Sequence, residues 1–225
     1  SMAQEPPQCE PDYTVQADDW LSKIAVKYYA NYSLYPAIVF ATNARAAADD
    51  SYATITNPNL IMPGWRLCIP SIDEAQATLT LDALRNAAYR SEWTKSKIAQ
   101  LAGGEYEEEI VPGSATKIIV KLITKHMAFG YLSDRQEAAA VIIVTDPGGS
   151  STFCDLALVV QRGGQPVNLA RTLLGDRIRI NSLSIEDGQI AVDMITHGLN
   201  DPMCCPTQRV IQTYALQDDQ LLETS

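Results

Sequence analysis

Residues 13–25 have the sequence YTVQADDWLSKIA, which predicts a short strand followed by a helix. Its first four residues have the composition of a strand. Asp19 is the predicted N-cap of the helix, because its carboxylate can accept hydrogen bonds from free backbone N–H groups. Apolar side chains then recur at i, i+3, i+4 and i+7, which is one face of an α-helix. These side chains are Leu21, Ile24, Ala25 and Tyr28.

A second helix and a second strand follow. The helix is predicted by the same apolar spacing, with Pro36 in its first turn, where a missing N–H group is tolerated. Its apolar positions are Leu34, Ile38 and Ala41. Residues 57–70 have the sequence NPNLIMPGWRLCIP, in which a Pro-Gly turn leads into a strand at residues 66–69. The predicted order is therefore strand, helix, helix, strand.

The two quoted stretches resemble the opening and closing signatures of LysM domains, in the family's order and at its separation. The resemblance implies a βααβ glycan-binding module at residues 10–71, holding peptidoglycan or chitin-like polymers of N-acetylglucosamine in a shallow groove between two loops. Carried over to this chain, the loops are residues 17–21 and 57–62. The implied glycan-binding residues are Asp18, Asp19, Trp20, Leu21, Asn57, Asn59, Leu60, Ile61 and Met62.

Three positions depart from the family pattern. Asp18 stands where LysM domains usually have glycine, Trp20 where they usually have threonine, and Ala30 replaces a common glycine after the first helix. The carboxylate of Asp18 would hinder close approach to the backbone, whereas an exposed Trp20 would add a stacking surface for a sugar. The alternative place for Trp20 is the small core of the module.

Composition narrows the possible partners. The 225 residues are 46% hydrophobic and 20% charged, with 17 basic against 27 acidic side chains and a net charge of −10. An acidic chain repels phosphate backbones and anionic lipid, so nucleic acid and bare membrane are not expected as partners. No apolar run reaches the length of a membrane helix, so no membrane span is expected. A neutral glycan needs no basic surface. The sequence leaves the oligomeric state open.

The five cysteines have no metal-ligand spacing, and neither a metal nor another cofactor is expected. In the fold that the resemblance implies, Cys9 and Cys68 flank the two paired strands, and we expect a disulfide between them. Disulfides are typical of exported proteins, so an extracellular or cell-envelope location is expected, the leader having been removed. The sequence leaves two alternatives for the remaining three cysteines. Either the neighbours Cys204 and Cys205 bond to each other, or one of them bonds to Cys154.

The rest of the chain predicts a β-rich α+β domain at residues 79–225 with mainly antiparallel sheets. Residues 72–78 are polar and predict a linker, residues 81–88 a helix, and residues 184–190 a hairpin. The acidic run at residues 105–109 is interpreted as a solvated face or loop. The predicted strands are residues 117–124, 139–145, 155–161, 177–183, 189–195 and 210–216.

No catalytic motif stands out in this second domain. Residues 129–137 faintly resemble a calcium loop, but Tyr131 and Arg135 occupy places for acidic ligands, so an ordinary turn is predicted. The function expected is therefore that of a non-catalytic cell-envelope protein that binds glycan through its LysM module. One alternative is a wall-modifying enzyme, for which His197 and Cys204 offer a Cys-His pair without an orienting third group. The other is a LysM-fold scaffold that binds protein.

Overall fold

The computed structural model describes residues 7–133 and 136–224. The chain divides into two compact units, the first ending at Leu81 and the second beginning at Asp82. Helices combine with sheets whose described pairings are all antiparallel, which agrees with the predicted α+β class.

The first unit has the element order strand, helix, helix, strand, followed by one further helix. Its elements are β1 (Asp12–Thr14), α1 (Leu21–Tyr29), a 3₁₀ turn (Tyr32–Leu34), α2 (Tyr35–Ala46), β2 (Arg66–Cys68) and α3 (Ile72–Ala77). Strands β1 and β2 pair antiparallel, with Tyr13 opposite Leu67. The predicted apolar faces of α1 and α2 are buried at Leu21, Ile24 and Ile38, which form the interior of this unit.

Helix α1 begins after Trp20, so the predicted N-cap at Asp19 is wrong. The backbone of Trp20 is extended, and no side chain caps the helix there. The carboxylate of Asp19 instead accepts hydrogen bonds from the Gln16 N–H group at 2.8 Å and from the Tyr13 hydroxyl at 2.7 Å. Asp19 therefore closes the loop between β1 and α1. Tyr13 and Gln16, which precede the helix, bind its carboxylate. Sequence rules for N-caps consider only the residues of the first helical turn, so they do not detect this competition.

The predicted disulfide between Cys9 and Cys68 is present and joins the segment before β1 to the end of β2. The two Cα atoms are 4.9 Å apart, within the range that a disulfide spans. Cys68 is fully buried and packs with Ala41 and Tyr52. The bond thus fixes the outer end of the strand pair against helix α2.

Residues 72–78, predicted as a linker, form helix α3 instead. Ser71 and Glu74 make a reciprocal capping box, in which each side chain accepts from the other residue's backbone N–H group. Ala75 is fully buried and packs with Leu34 and Ala37. One small buried residue is a weak periodic signal, which explains why composition alone indicates a linker.

The second unit is built from antiparallel strands. Helix α4 (Leu81–Arg85), shorter than the predicted helix, begins at the last residue of the first unit and continues into the second. The strands are β3 (Ala88–Arg90), β4 (Ile98–Gln100), β5 (Glu105–Glu109), β6 (Lys117–Tyr131), β7 (Glu137–Asp146), β8 (Phe153–Arg162), β9 (Gln165–Asp176), β10 (Arg179–Glu186), β11 (Gln189–Thr196), β12 (Gln208–Gln217) and β13 (Gln220–Glu223). They form a hairpin β3-β4, a five-stranded sheet β5-β6-β7-β8-β9 and a four-stranded sheet β10-β11-β12-β13, each in sequence order.

The two larger sheets share one hydrophobic core, to which β7, β8, β11 and β12 contribute. Strands β7 and β8 are buried on both faces over most of their length. The hairpin β3-β4 contacts this sheet through β3 and β9. The side-chain carbonyl of Asn168 on β9 accepts a hydrogen bond from the Arg90 N–H group on β3 at 2.9 Å. The central sheet is therefore covered on both sides.

Several predictions for the second unit are confirmed and others are wrong. The hairpin at residues 184–190 is present, with Asp187 and Gly188 both at positive φ in its turn. The acidic run at 105–109 is an edge strand, β5, whose Glu105 pairs with Lys121 at 3.2 Å. Strands β3, β4, β9 and β13 were not predicted. The predicted turn at residues 129–137 falls between β6 and β7, but residues 134 and 135 lie outside the described residues.

Candidate functional site

The two loops that the LysM resemblance singles out begin side by side. Val15, directly after β1, donates its N–H group to the Trp65 carbonyl at 2.8 Å. Its own carbonyl accepts from the Gly64 N–H group at 2.8 Å. Val15 is buried, so both bonds lie inside the unit. These bonds extend the strand pair and bring the chain just before loop 17–21 next to the chain just after loop 57–62.

The first loop is held by Asp19. The hydroxyl of Tyr13 donates to its carboxylate, which lowers the pKa of Asp19, and the Gln16 N–H and Lys23 add to that effect. The same hydrogen bond raises the pKa of Tyr13 to about 12. Lys23 lies 3.5 Å from the carboxylate, one helical turn along α1. With three partners, Asp19 supports the loop, and its charge is already compensated.

Asp18 has the left-handed backbone conformation that glycine adopts at little cost, with φ 63°. Aspartate tolerates this region better than most residues other than glycine, which explains why the loop adopts it at this position. The carbonyl oxygen of Asp18 accepts a hydrogen bond from the Lys23 ammonium at 3.0 Å. The residue itself is exposed, so its carboxylate adds a negative charge at the surface of the loop.

Trp20 and Leu21 are neighbours in sequence but point to different environments. Trp20 is 57% exposed, and the Lys23 ammonium lies 5.0 Å from the centre of its ring. Leu21 is 2% exposed and belongs to the core. Of the two, only Trp20 exposes its side chain to solvent, whereas Leu21 anchors the start of α1. The indole of Trp20 therefore lies at the surface. It does not fill the small core of the module, which was the alternative prediction for this residue.

The second loop turns apolar side chains towards solvent. The Asn57 side-chain oxygen accepts from the Asn59 N–H group at 2.9 Å, and the Asn57 carbonyl accepts from the Leu60 N–H group at 3.0 Å. These bonds fix a tight turn. After it, Leu60 is 60% exposed and Met62 is 53% exposed, while Ile61 is half-buried. The loop therefore exposes two large apolar side chains, Leu60 and Met62, to solvent.

The two loops expose chemical groups of the kind that contact neutral sugars. Exposed Trp20, Leu60 and Met62 offer apolar surface for a sugar ring or an acetyl methyl group, and loop backbone groups offer hydrogen bonds. The carboxylate of Asp19 is occupied by structural partners and is not placed as an acid or base. The sequence-based reasoning missed the supporting roles of Tyr13 and Lys23, although the i, i+4 spacing of Asp19 and Lys23 was a usable signal.

None of the five cysteines, all of them described, offers an exposed thiol. Cys154 is buried, and burial raises the pKa of its thiol to about 11. Cys204 and Cys205 are joined to each other, which decides between the two predicted pairings. Both ring nitrogens of His197 are buried and lack a hydrogen-bond partner among the described residues. The alternative considered from the sequence, a nucleophilic pair of His197 and Cys204, requires a thiolate. Because the sulfur of Cys204 is bonded to that of Cys205, the oxidised protein has no thiolate at this position.

Elsewhere in the second unit, Asp155 on β8 and Arg171 on β9 form a buried ion pair, and Glu92 reaches the same guanidinium from the surface. Burial raises the pKa of Asp155 to about 6, although Arg171 opposes that shift. Sequence reasoning missed this group, because β9 was not predicted. Among the described residues, no three His, Cys, Asp or Glu side chains come together as metal ligands.

Comparisons of the chain with protein-family models, with curated proteins and with solved structures find no match. Every helix among the described residues is too short or too polar to cross a lipid bilayer.

Proposed function

We propose that the protein is a non-catalytic cell-envelope or extracellular protein that binds polysaccharide containing N-acetylglucosamine. The binding residues belong to the loops at 17–21 and 57–62 of a LysM-like first unit. Trp20, Leu60 and Met62 make the apolar contacts with the sugar, and backbone groups of both loops bind its acetamido groups. Asp19, Leu21 and Asn57 hold the loops in place.

One observation carries the proposal: the two loops that the resemblance names are tied together at their bases through Val15. Large apolar side chains lie exposed on both of them. The strand, helix, helix, strand order and the disulfide between Cys9 and Cys68 add support, since such a small unit gains from a covalent bridge. The disulfides also suit an exported protein.

The proposal is tested by titrating the full chain with chitin-type oligomers of N-acetylglucosamine and following the Trp20 indole N–H signal by NMR. We expect saturable shifts at Trp20 and at the backbone amides of both loops, with affinity that rises from shorter to longer oligomers. Trp20→Ala is expected to weaken binding by about 1–2 kcal/mol, the value of one aromatic stacking contact.

A matched control is Val26→Ala. Val26 is a large exposed apolar residue on α1, 49% exposed, and lies outside both loops. It is expected to leave the affinity unchanged. Unchanged spectra of the wild-type protein up to millimolar oligomer would refute the proposed function. Equal weakening by Trp20→Ala and Val26→Ala would refute the assignment of the site to the two loops.

A further inference from the structure

The bond between Cys204 and Cys205 lies in the loop that connects β11 to β12, at the surface of the second unit. Both cysteines are exposed, and so are Leu199 and Met203 in the same loop. The other disulfide differs sharply, because Cys68 is fully buried. The chain therefore carries one shielded disulfide and one that solvent can reach.

Hydrogen bonds that do not involve the two sulfur atoms also hold this loop. The carboxylate of Asp201 accepts hydrogen bonds from the N–H groups of Gly198 and Thr207, at 2.9 and 2.7 Å, and from the Thr207 hydroxyl at 2.8 Å. The Cys205 N–H group bonds to the Pro202 carbonyl at 2.9 Å. These contacts close both ends of the loop and turn the backbone before the cysteine pair.

A disulfide between neighbours also contributes little to global stability. A crosslink stabilises a fold mainly by closing a long loop in the unfolded chain, and adjacent residues enclose none. The cysteines of the other disulfide are separated by 59 positions and do close such a loop. Cys204 and Cys205 therefore form an exposed bond whose effect is local: it masks two thiols and constrains one peptide unit.

We propose that the Cys204–Cys205 bond is a reversible redox site that exchanges with small dithiols, while the Cys9–Cys68 bond stays intact in the folded protein. A thiolate of the dithiol attacks one of the two sulfurs, and the bond between Cys204 and Cys205 breaks. The dithiol's second thiolate then attacks the mixed disulfide. The cysteine pair gains two electrons and the dithiol's two protons, and the dithiol leaves as a cyclic disulfide.

The test is a time course of reduction of the folded full chain by dithiothreitol, with trapping of free thiols by iodoacetamide and peptide mass mapping. We expect Cys204 and Cys205 to be labelled at least about tenfold faster than Cys9 and Cys68, since the rate of exchange depends on access. Oxidised dithiothreitol is expected to restore the Cys204–Cys205 bond without linking either residue to Cys154, which is buried.

Two variants separate a redox site from a structural staple. Cys204→Ser with Cys205→Ser is expected to leave the melting temperature within about 1 °C of wild type, whereas Cys9→Ala with Cys68→Ala lowers it clearly. Equal reduction rates for the two disulfides would overturn the proposal. So would a non-reducing map without a Cys204–Cys205 bond, reoxidation that links either residue to Cys154, or a melting temperature that falls as far in the first variant as in the second.

Discussion

Removing the disulfide between Cys9 and Cys68 is the perturbation whose energetic effect the structure defines best. The double variant Cys9→Ala with Cys68→Ala deletes the bond and places a small apolar residue at each site. Alanine suits the second position because Cys68 is fully buried beside Ala41 and Tyr52. It leaves no unpaired polar group in that cluster.

The magnitude follows from the loop that the bond closes. For two cysteines 59 residues apart, the chain-entropy model gives a loss of about 14 cal/mol/K in the unfolded chain, or about 4 kcal/mol at room temperature. The deleted sulfur atoms add a smaller cost of packing. We therefore expect the free energy of unfolding of the first unit to fall by about 4 kcal/mol, a large part of the stability of a small domain.

The assay is equilibrium unfolding in urea, followed by tryptophan fluorescence. Of the three tryptophans, Trp20 and Trp65 lie in the first unit and Trp93 in the second. Trp93 stacks on Phe153 with 4.2 Å between ring centres. The background variant Trp93→Phe keeps an aromatic ring there and leaves the fluorescence to report the first unit alone.

The matched control is Cys204→Ala with Cys205→Ala in a background that keeps Trp93 and replaces Trp20 and Trp65 by phenylalanine, so that the fluorescence reports the second unit, which holds this bond. It also deletes one disulfide but opens no long loop, so we expect a loss below about 1 kcal/mol. A loss below about 0.5 kcal/mol for the Cys9 and Cys68 variant would contradict the reasoning. It would mean that the unfolded chain is not appreciably restricted by the bond.

Three further substitutions test other parts of the structure. Arg171→Met leaves the buried Asp155 carboxylate unpaired, and we expect a loss of about 3–5 kcal/mol in unfolding free energy at pH 8. Burial already raises the pKa of Asp155 to about 6, so this loss shrinks at pH 4, where the folded protein holds the carboxyl protonated. Urea unfolding at both pH values measures the difference, and an equal loss at both would contradict this account. Tyr13→Phe removes the hydroxyl that bonds to Asp19 and is expected to cost about 1 kcal/mol at pH 7. The pKa of Asp19 is lowered in the folded protein, so this contribution is present above its unfolded pKa and disappears as the pH falls through its folded pKa; thermal unfolding at pH 7 and pH 2 tests this. At Asp18, with its left-handed φ of 63°, we expect glycine to raise stability by about 0.5 kcal/mol and alanine to lower it by about 1 kcal/mol. The reverse order in calorimetric melting temperatures would refute the backbone argument.

The helices α1 and α2 of the first unit could be predicted because apolar spacing and a turn proline are local signals. The actual N-cap, Trp20, could not, because the hydroxyl of Tyr13 binds the carboxylate of the predicted cap, Asp19, from across the loop. Helix α3 escaped prediction since only Ala75 is buried in it. For Asp19 the deciding contact comes from outside the helix, and sequence spacing does not report it. For α3 the Ser71-x-x-Glu74 spacing of the capping box is a local signal that was available in the sequence.

In the second unit, runs of β-branched residues allow the central strands to be predicted from the sequence. Strands of mixed composition, such as β9, lack such runs and could not be predicted in this way. Strand β9 contains Pro166 and Gly175, which usually argue against a strand, and its pairing with β8 is irregular beside Gly175 and between Asn168 and Ala170. The sequence likewise does not predict whether Trp20 is exposed, because tryptophan side chains occur both in protein cores and at protein surfaces. Its 57% exposure depends on how loop and helix meet in space.

The most direct measurement of the central claim is a titration of the folded, oxidised full chain with a chitin-type hexamer of N-acetylglucosamine, read at the Trp20 indole and the Leu60 and Met62 methyl groups by NMR. The account predicts saturable shifts confined to the two loops, weakened by Trp20→Ala and unchanged by Val26→Ala. Spectra that stay the same throughout the titration, while the protein remains folded, would contradict it.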